Sequence, residues 1–289
     1  MDAGAAPAVL TTIAETRTRI AAFRRERPGA SIALVPTMGA LHDGHLALVR
    51  EAKRLADRVV VSIFVNPLQF GAGEDLGRYP RTLDADVALL AAEGVDLVFA
   101  PNAAEMYPDG SAGTTVHAGP IGDRYEGAAR PGHFDGVLTV VEKLLGIASP
   151  DIAVFGQKDA QQLHLVGRMV ADLDLPVEIV SVPIVRERDG LALSSRNRYL
   201  SPEARRAALA LAESLQAATR AAGGGVDELL AEGIAAFGDH DDVELDYFVA
   251  VDPETFLPVD DGFRGQALVL VAALVDGTRL IDNTTMSIG

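Results

Sequence analysis

Short runs of apolar residues alternate along the chain with longer segments in which apolar residues recur every three or four positions. The short runs are rich in valine, isoleucine and leucine, which is typical of strands buried on both faces. The longer segments have the spacing of amphipathic helices. Strands are therefore predicted at 31–35, 58–65, 95–100, 151–156 and 177–182, and helices at 8–26, about 45–57, 82–93, 133–148 and 158–172.

This alternation predicts an α/β fold with a doubly wound parallel sheet of the Rossmann-like type. Helices on both faces of such a sheet explain why its strands are apolar throughout. Ligands of doubly wound proteins bind beyond the carboxyl ends of the strands. Functional residues are accordingly expected directly after the predicted strands.

The pattern changes in the last part of the chain. Ser201 and Pro202 are typical of an N-cap and a first helical residue, and an alanine-rich helix is predicted from there to the glycines at 223–225. A further helix at about 226–237 and strands at 243–251, 267–274 and 278–283 follow. We expect two domains, 1–184 and 185–289, of which the second is a smaller α+β domain.

The composition and net charge limit the kinds of molecule that the protein is expected to bind. Of 289 residues, 48% are apolar and 23% charged, as in soluble proteins with a sizeable core. The formal net charge of −16 repels phosphate groups, so neither nucleic acids nor anionic membranes are expected as partners. An anionic ligand therefore needs a locally positive pocket, together with a divalent cation.

Cysteine usage and the apolar runs bear on location. The chain contains no cysteine, which excludes disulfides, thiolate catalysis and cysteine-bound zinc and fits a reducing compartment. The segment "MDAGAAPAVLTTIAE" lacks the basic start and apolar stretch of a secretory signal. The longest apolar run, 267–275, is about half the length that spans a bilayer. We predict a soluble, cytoplasmic protein.

Two of the six histidines, His42 and His45, follow the first predicted strand in "PTMGALHDGH". If a helix begins near residue 44, both lie at its amino end, where unpaired N–H groups and the helix dipole favour an anion. The imidazoles could then stabilise phosphate oxygens in a transition state. The alternative is that they only cap the turn or lie exposed to solvent.

Lys158 lies in "FGQKDAQQ", directly after the predicted strand at 151–156. A lysine there can bind phosphate, while the neighbouring glutamines can hold a hydroxyl or a carboxylate. The alternative is an ordinary helix start, in which Asp159 interacts favourably with the dipole.

The segment "LALSSRNRYL" is polar and basic in an otherwise acidic chain. Its hydroxyl and guanidinium groups suit a phosphate ligand, and the alternative is a linker before a helix cap. "FVNPLQFG" (64–71) and "ARPGHFDGV" (129–137) also place polar side chains after a strand or at a helix start. Of the other histidines, His164 is predicted to be structural, and His117 and His240 carry no signal.

Together these stretches resemble the pantoate–β-alanine ligase family of the H-x-G-H nucleotidyltransferase superfamily. The similar stretches are "VPTMGALHDGH", "SIFVNPLQFG", "YPRTLDAD", "RPGHFDGV", "VFGQKDAQQ" and "LALSSRNRYLS", which occur in the family's order between residues 35 and 201. The later "DNTTMSIG" is also similar. A single H-x-G-H is weak evidence, whereas six ordered blocks are specific.

The resemblance implies a Rossmann-like nucleotidyltransferase fold and a two-step, AMP-forming ligation in pantothenate biosynthesis. The carboxylate of (R)-pantoate attacks the α-phosphate of ATP, with Mg²⁺ as cofactor, to give pantoyl adenylate and pyrophosphate. The amine of β-alanine then displaces AMP and forms pantothenate. The alternative is a related H-x-G-H adenylyltransferase that stops at adenylyl transfer.

The resemblance also implies residue roles. The catalytic residues that the resemblance implies are His42, His45, Lys158, Ser194, Ser195 and Arg196, with His45 as proton donor. Its ATP site comprises Pro36, Thr37, Met38, Gly39, Ala40, Leu41, His42, Asp43, Gly44, His45, Gly156, Gln157, Lys158, Asp159, Val185, Leu193, Ser194, Ser195 and Arg196. Gln69 and Gln162 hold pantoate, and Gln69 also contacts β-alanine. Asn66, Tyr79, Arg130 and His133 are second-rank candidates.

Two acidic residues, Asp84 and Asp86, are the candidate magnesium contacts. Members of the family are generally homodimers joined through the nucleotide-binding domain, so a homodimer is implied. The same resemblance makes 1–184 the ATP- and pantoate-binding domain and 185–289 a lid domain.

Two positions depart from the family's pattern. Gln157 stands where an acidic residue is expected, and Ala160 stands where an aromatic residue is common. Neither change removes an implied ligand, although the first makes this edge of the pocket less negative.

Overall fold

In the computed structural model, which describes residues 6–71, 73–238 and 243–289, six strands form one parallel sheet. These strands are β1 (Ala8–Leu10), β2 (Ile32–Thr37), β3 (Arg58–Ile63), β4 (Leu97–Phe99), β5 (Ile152–Gly156) and β6 (Glu178–Val182). Their order across the sheet is β1-β4-β3-β2-β5-β6, and every neighbouring pair is parallel. The predicted doubly wound sheet is confirmed.

The chain winds outward from β2 in both directions, through β3 and β4 on one side and through β5 and β6 on the other. β2 and β5 pair through only Ala33–Ile152 and Leu34–Ala153. The strand order therefore reverses between β2 and β5, and such a switch point is where doubly wound sheets bind ligands.

The longer helices connected with this sheet follow the predicted segments closely, whereas two helices of four residues each lie outside those segments. The helices are α1 (Ile13–Glu26), α2 (Asp43–Leu55), α3 (Leu83–Ala92), α4 (Ala103–Met106), α5 (Glu126–Ala129), α6 (His133–Ala148) and α7 (Ala160–Asp172). The α6 helix begins and ends where the apolar spacing predicts. α7 begins two residues later than predicted because Gln157–Asp159 form a 3₁₀ turn first.

The predicted helix at 8–26 is wrong in its first part. Ala8–Leu10 form an edge strand that pairs with β4, and α1 begins only at Ile13. The Thr12 hydroxyl accepts a bond from the Glu15 N–H at 3.3 Å and so caps the helix. A strand of three residues is too short to display a period of two, so the helical spacing further along dominated the prediction.

The apolar strands are buried on both faces, as the sequence predicts. On one face, Val35 and Val61 pack with Val49 of α2 and Leu90 of α3. On the other face, α6 contacts β2 and the turn that follows β3. Because both faces are covered, polar groups of β2 and β3 reach ligands only at the strand ends.

The contacts within the chain divide it into two compact units. Unit 1 comprises the described residues up to Gln157 and 165–183; unit 2 comprises 158–164 and the described residues from Ile184 onwards. The sequence predicts a boundary between 184 and 185, and the contacts add the short segment 158–164 to the second unit.

Unit 2 contains an antiparallel sheet with the order β7-β8-β9. Its elements are α8 (Pro202–Ala207), α9 (Leu209–Ala221), α10 (Val226–Ala235), β7 (Val243–Val251), β8 (Gly265–Val275) and β9 (Thr278–Ile288). Leu211, Leu215 and Leu229 of the helices share a core with Val269 and Val271 of β8. The predicted α+β character is therefore confirmed for the described part of this unit.

Two predictions for unit 2 need correction. The long alanine-rich helix is interrupted at Ala208, where Leu211 N–H bonds to the Ala208 carbonyl in a tighter turn. No glycine or proline marks that interruption. β9 extends to Ile288 rather than to 283, because its whole length pairs with β8.

No helix among the described residues is both long and apolar enough to cross a membrane. His240 lies outside the described residues, as do the first five residues of the segment tested for a secretory signal.

Gly136 allows α6 to pack closely against the turn after β3. A Cβ atom added at Gly136 would lie 2.2 Å from the Leu68 carbonyl oxygen, so Gly136→Ala should lower the free energy of unfolding by about 1–3 kcal/mol. Gly146 lies on the same helix, where an added Cβ would meet only the Glu142 carboxylate at 3.8 Å. Gly146→Ala should leave the free energy unchanged or raise it by up to about 1 kcal/mol. Equal urea denaturation midpoints for the two variants would contradict this packing.

Candidate functional site

The loop that follows β2 reverses the chain sharply before α2. Pro36 and Thr37 end the strand, and Gly39 and Ala40 both have positive φ angles, of 82° and 50°. A Cβ atom at Gly39 would lie 3.0 Å from both the Asp86 carboxylate and an Ile63 methyl group. This position therefore requires glycine for its backbone angle and for its space.

Asp86 holds this loop in place. Its two carboxylate oxygens accept bonds from Ala40 N–H at 3.0 Å and Leu41 N–H at 2.8 Å. The Thr82 hydroxyl lies 3.2 Å from each of those oxygens, and Asp86 is only 2% exposed. Asp86 thus anchors the loop through both of its carboxylate oxygens, whereas Asp84 of the same helix is exposed.

His42 and His45 lie at the amino end of α2, as the sequence predicts. His42 is the N-cap, and its Nδ1 accepts a bond from Gly44 N–H at 3.2 Å. His45 Nδ1 accepts one from His42 N–H at 3.3 Å, which completes a capping box. Asp43 occupies the first helical position. Both histidines therefore cap the start of α2, as one of the two interpretations of the sequence predicts.

These bonds also determine where each imidazole carries its proton. Because Nδ1 accepts a hydrogen bond in both rings, a neutral ring is protonated at Nε2. The ring centroids of His42 and His45 lie 4.1 Å apart. The helix terminus therefore combines two Nε2–H donors with the positive end of the dipole, which suits a polyanionic ligand.

A buried amide pair lies beyond the end of β3. Asn66 Nδ2 donates to the Gln69 side-chain oxygen at 3.1 Å and to the Gly136 carbonyl at 3.0 Å. Gln69 Nε2 in turn lies 3.1 Å from the Met38 sulfur. Asn66 and Gln69 are 1% and 8% exposed, respectively. Met38 and Gln69, which the sequence places in different candidate sites, are thus neighbours.

Arg130 and His133 hold the backbone of the same turn. Arg130 Nη2 and His133 Nδ1 both donate to the Gln69 carbonyl, at 3.2 and 2.8 Å. Arg130 also forms a two-pronged ion pair with Glu74, at 2.6 and 3.0 Å. Burial raises the pKa of Glu74, but the hydrogen bonds and charge of Arg130 outweigh it and leave that pKa below its ordinary value. These second-rank candidates therefore support Gln69.

Tyr79 is buried beyond the same turn, with its ring edge-on to Phe70 at a centroid distance of 6.1 Å.

On the far side of the switch point, Gly156 ends β5 and Gln157 Nε2 donates to the Ser181 hydroxyl at 3.1 Å. Gln157, which stands where the resemblance leads us to expect an acidic residue, thus bonds to the neighbouring strand β6.

Lys158 belongs to unit 2, where its carbonyl accepts a bond from Asn283 Nδ2 at 2.9 Å. Its ammonium group lies 4.0 Å from the Asp159 carboxylate. Gln162, on the first turn of α7, is partly exposed. The His164 ring contacts the Phe256 ring in this unit at 4.9 Å, which agrees with its predicted structural role.

The basic segment at 194–196 is positioned by a hairpin in unit 2. Leu193 N–H bonds to the Val185 carbonyl at 3.0 Å, which brings two predicted site residues together. Arg186 joins the hairpin to β9 through a two-pronged ion pair with the buried Asp282, at 2.5 and 2.9 Å. The Ser194 hydroxyl caps the next turn by accepting from Arg196 N–H at 3.2 Å, and Ser195 is buried.

Several residues that support the site were not predicted. Asp282 and Asn283 lie in "DNTTMSIG", which the sequence relates to the family without assigning a role. Tyr107 donates its hydroxyl to Asn66 Oδ1 at 2.9 Å. His117, which is not among the candidate site residues, pairs with Asp135 at 2.9 Å on the surface. Partners so distant in sequence leave no local signal.

Within the described part of the chain, no group of three histidine or acidic residues could hold a metal ion. Among the described residues, the two candidate magnesium contacts Asp84 and Asp86 are not part of such a group, and both Asp86 oxygens accept backbone N–H bonds. A magnesium ion bound chiefly by substrate phosphates and water needs no such cage.

A doubly wound sheet whose switch-point helix carries two imidazole donors defines an α/β protein of the nucleotide-binding class. The model of the pantoate–β-alanine ligase family matches residues 8–285. The chain belongs to the pantoate–β-alanine ligase family.

Similar proteins agree with this assignment. The pantothenate synthetase of Leifsonia xyli subsp. xyli is 58% identical over 273 residues, which is 94% of each chain. That of Acidothermus cellulolyticus is 56% identical and covers 99% of this chain and 93% of its own. The predicted family and the predicted enzyme class are confirmed.

Solved structures give the same result. The crystal structure of pantothenate synthetase from Thermus thermophilus has a TM-score of 0.90 and 51% identity, covering 96% of this chain and 98% of its own. Pantoate–β-alanine ligase from Francisella tularensis, complexed with β-γ ATP and β-alanine, has a TM-score of 0.78 and 33% identity, covering 96% and 97%.

The anchoring role of Asp86 is open to a direct test. Asp86→Asn supplies one acceptor oxygen and places amide donors against a backbone N–H, so the free energy of unfolding should fall by about 1–3 kcal/mol. Asp84→Asn, on the exposed side of the same helix, should change it by less than about 1 kcal/mol. Thermal and urea denaturation measure both. An unchanged stability of Asp86→Asn together with a raised magnesium requirement would instead support the metal-binding role.

Proposed function

We propose that this protein condenses (R)-pantoate with β-alanine to form pantothenate, AMP and pyrophosphate, through a pantoyl-adenylate intermediate. The observation that carries this proposal is the pair of imidazole donors at the amino end of α2, beside the switch point, in a chain of the pantoate–β-alanine ligase family. The Francisella relative complexed with β-γ ATP and β-alanine supports ATP and β-alanine as substrates.

The reaction needs positioning and charge stabilisation more than a covalent nucleophile. A carboxylate is a poor acyl donor, so its oxygen first attacks the α-phosphorus of ATP while the bond to pyrophosphate breaks. The β-alanine nitrogen then attacks the acyl carbon, the bond to AMP breaks, and the nitrogen loses a proton. Enzymes accelerate such steps mainly by orienting the partners and stabilising the developing charge.

His42 and His45 are suited to the first step. Each neutral ring carries its proton on Nε2, and the dipole of α2 adds positive potential at the same point. We assign both imidazoles to the departing pyrophosphate, with His45 as the proton donor. Residues 36–44 form the remainder of this part of the nucleotide site.

Gln69 is suited to holding pantoate. Its amide oxygen is engaged by Asn66, while its Nε2 faces the Met38 thioether, which is a weak acceptor. A pantoate oxygen is a far better acceptor, so Nε2–H gains a stronger bond when the substrate binds. We assign Gln69 to pantoate and β-alanine and Gln162 to pantoate.

Unit 2 carries a second set of phosphate-binding candidates. Lys158 and Arg196 supply cationic donors, and Ser194 and Ser195 supply hydroxyl groups. The hairpin that pairs Val185 with Leu193 fixes the start of this segment. We assign these residues to ATP, together with Gly156, Gln157 and Asp159, and assign unit 2 the role of the lid.

Magnesium enters this proposal as a companion of the ATP phosphates, with water completing its coordination. A homodimer remains a prediction from the family resemblance, and a cytoplasmic location remains a prediction from the composition of the chain. The alternative, an adenylyltransferase that stops at adenylyl transfer, has no observation in its favour.

Product release distinguishes the proposed ligase from that alternative. With ATP, magnesium and pantoate alone, pyrophosphate should appear up to about one equivalent per active site, with little AMP. Addition of β-alanine should start steady release of both AMP and pyrophosphate in equal amounts. Steady pyrophosphate release that ignores β-alanine would contradict the two-step ligation.

His45→Ala separates catalysis from capping. If His45 stabilises departing pyrophosphate, adenylate formation should slow by about 10²–10³-fold, while the reaction of supplied pantoyl adenylate with β-alanine stays within a few-fold of the unsubstituted enzyme. Pyrophosphate and AMP release measure the two steps separately.

Thermal melting is the control for His45→Ala, because loss of the cap alone costs about 1 kcal/mol and favours neither step. An equal loss in both half-reactions, or a change confined to the melting temperature, would make the histidine pair structural.

A further inference from the structure

We infer that Tyr107 is a positioning residue for substrate recognition: its hydroxyl holds the Asn66 amide, which in turn fixes the direction in which Gln69 presents its own amide. This inference rests on the proposed role of Gln69 in binding pantoate. Tyr107 matches none of the sequence motifs and contacts the candidate site only through Asn66 in the bonds described above.

Tyr107 is built into unit 1 as a buried donor. It follows α4 and is 3% exposed, and its N–H bonds to the Ala103 carbonyl at 2.7 Å. Its hydroxyl donates to Asn66 Oδ1 at 2.9 Å. Burial raises the pKa of Tyr107 to about 12, so the phenol keeps its proton and remains a donor.

The Asn66 amide has a full set of partners. Oδ1 accepts from Leu68 N–H at 3.3 Å and from the Tyr107 hydroxyl, and Nδ2 donates to Gly136 and Gln69. The backbone groups of Leu68 and Gly136 determine which end of the amide faces which way. Tyr107 supplies the shorter of the two bonds to Oδ1 and so keeps the side chain in place.

The position of the Asn66 amide affects Gln69 through one hydrogen bond. Because Asn66 Nδ2 donates to Gln69 Oε1, the Gln69 Nε2 group faces Met38 and is the end available to a substrate oxygen. If Asn66 loses its position, the Gln69 amide can reverse and present an oxygen instead. An amide oxygen repels a carboxylate, so the binding of pantoate should weaken while the binding of ATP should not change.

The ring of Tyr107 is held independently of its hydroxyl. Phe64 lies 6.2 Å from it between ring centroids, and the Lys143 ammonium lies 5.6 Å from the ring centre. Tyr107→Phe keeps these contacts and removes only the hydroxyl. The substitution is therefore a clean test of the bond to Asn66.

We expect Tyr107→Phe to raise KM for pantoate about tenfold, the effect of one hydrogen bond of ordinary strength. KM for ATP should stay within about twofold, since one bond is lost on the pantoate side only. The matched control is Tyr247→Phe in β7 of unit 2, whose ring lies 5.8 Å from the Arg279 guanidinium carbon. That variant should leave both KM values unchanged.

Tyr107→Phe in a Gln69→Ala background tests whether Tyr107 acts through Gln69. If Tyr107 acts through Gln69, Tyr107→Phe should add little to the KM for pantoate once the Gln69 amide is gone. Additive losses, or equal rises in KM for ATP and pantoate from Tyr107→Phe alone, would overturn the inference.

Two further outcomes separate this inference from the proposed function. If Gln69→Ala raises KM for pantoate and Tyr107→Phe does not, the positioning role fails while the role of Gln69 stands. If Gln69→Ala leaves KM for pantoate unchanged while the ligation still requires both substrates, the assignment of Gln69 fails and this inference fails with it.

Discussion

The candidate site of unit 1 depends on one carboxylate. The loop between β2 and α2 reverses so tightly that the N–H groups of Ala40 and Leu41 are buried without a strand or helix partner, and Asp86 accepts both. A buried N–H without an acceptor is costly. By satisfying these two groups, Asp86 allows the positive-φ loop to exist, and that loop sets the start of α2. The positions of both histidines follow from it.

Much of the fold could be predicted because its signals are local. Valine-rich runs identify strands buried on both faces, and the spacing at 133–148 identifies a helix from end to end. The two histidines could be placed at a helix terminus because the first strand and the apolar spacing after His45 leave little room for another arrangement. The family resemblance supplied the chemistry, and the assigned roles of single residues remain predictions.

The rest could not be predicted because the partners are far apart in the chain. Tyr107 and Asn66 are 41 residues apart, and Arg186 and Asp282 are 96 apart, so no window of sequence contains both. Asp86 illustrates a second reason. A carboxylate on the first turn of a helix has the same sequence pattern whether it meets solvent, a metal ion or buried backbone N–H groups.

The bond between Lys158 and Asn283 bears on the order in which the protein acquires its structure during synthesis. The strands of the parallel sheet end at Val182, so that sheet can be complete while much of unit 2 has yet to leave the ribosome. The Lys158 carbonyl, however, receives its partner from a residue 125 positions later. Lys158 is therefore synthesised long before Asn283, the residue that donates a hydrogen bond to its carbonyl. A nascent chain that pauses before β9 is complete has a finished Rossmann-like sheet without the Asn283 bond to Lys158.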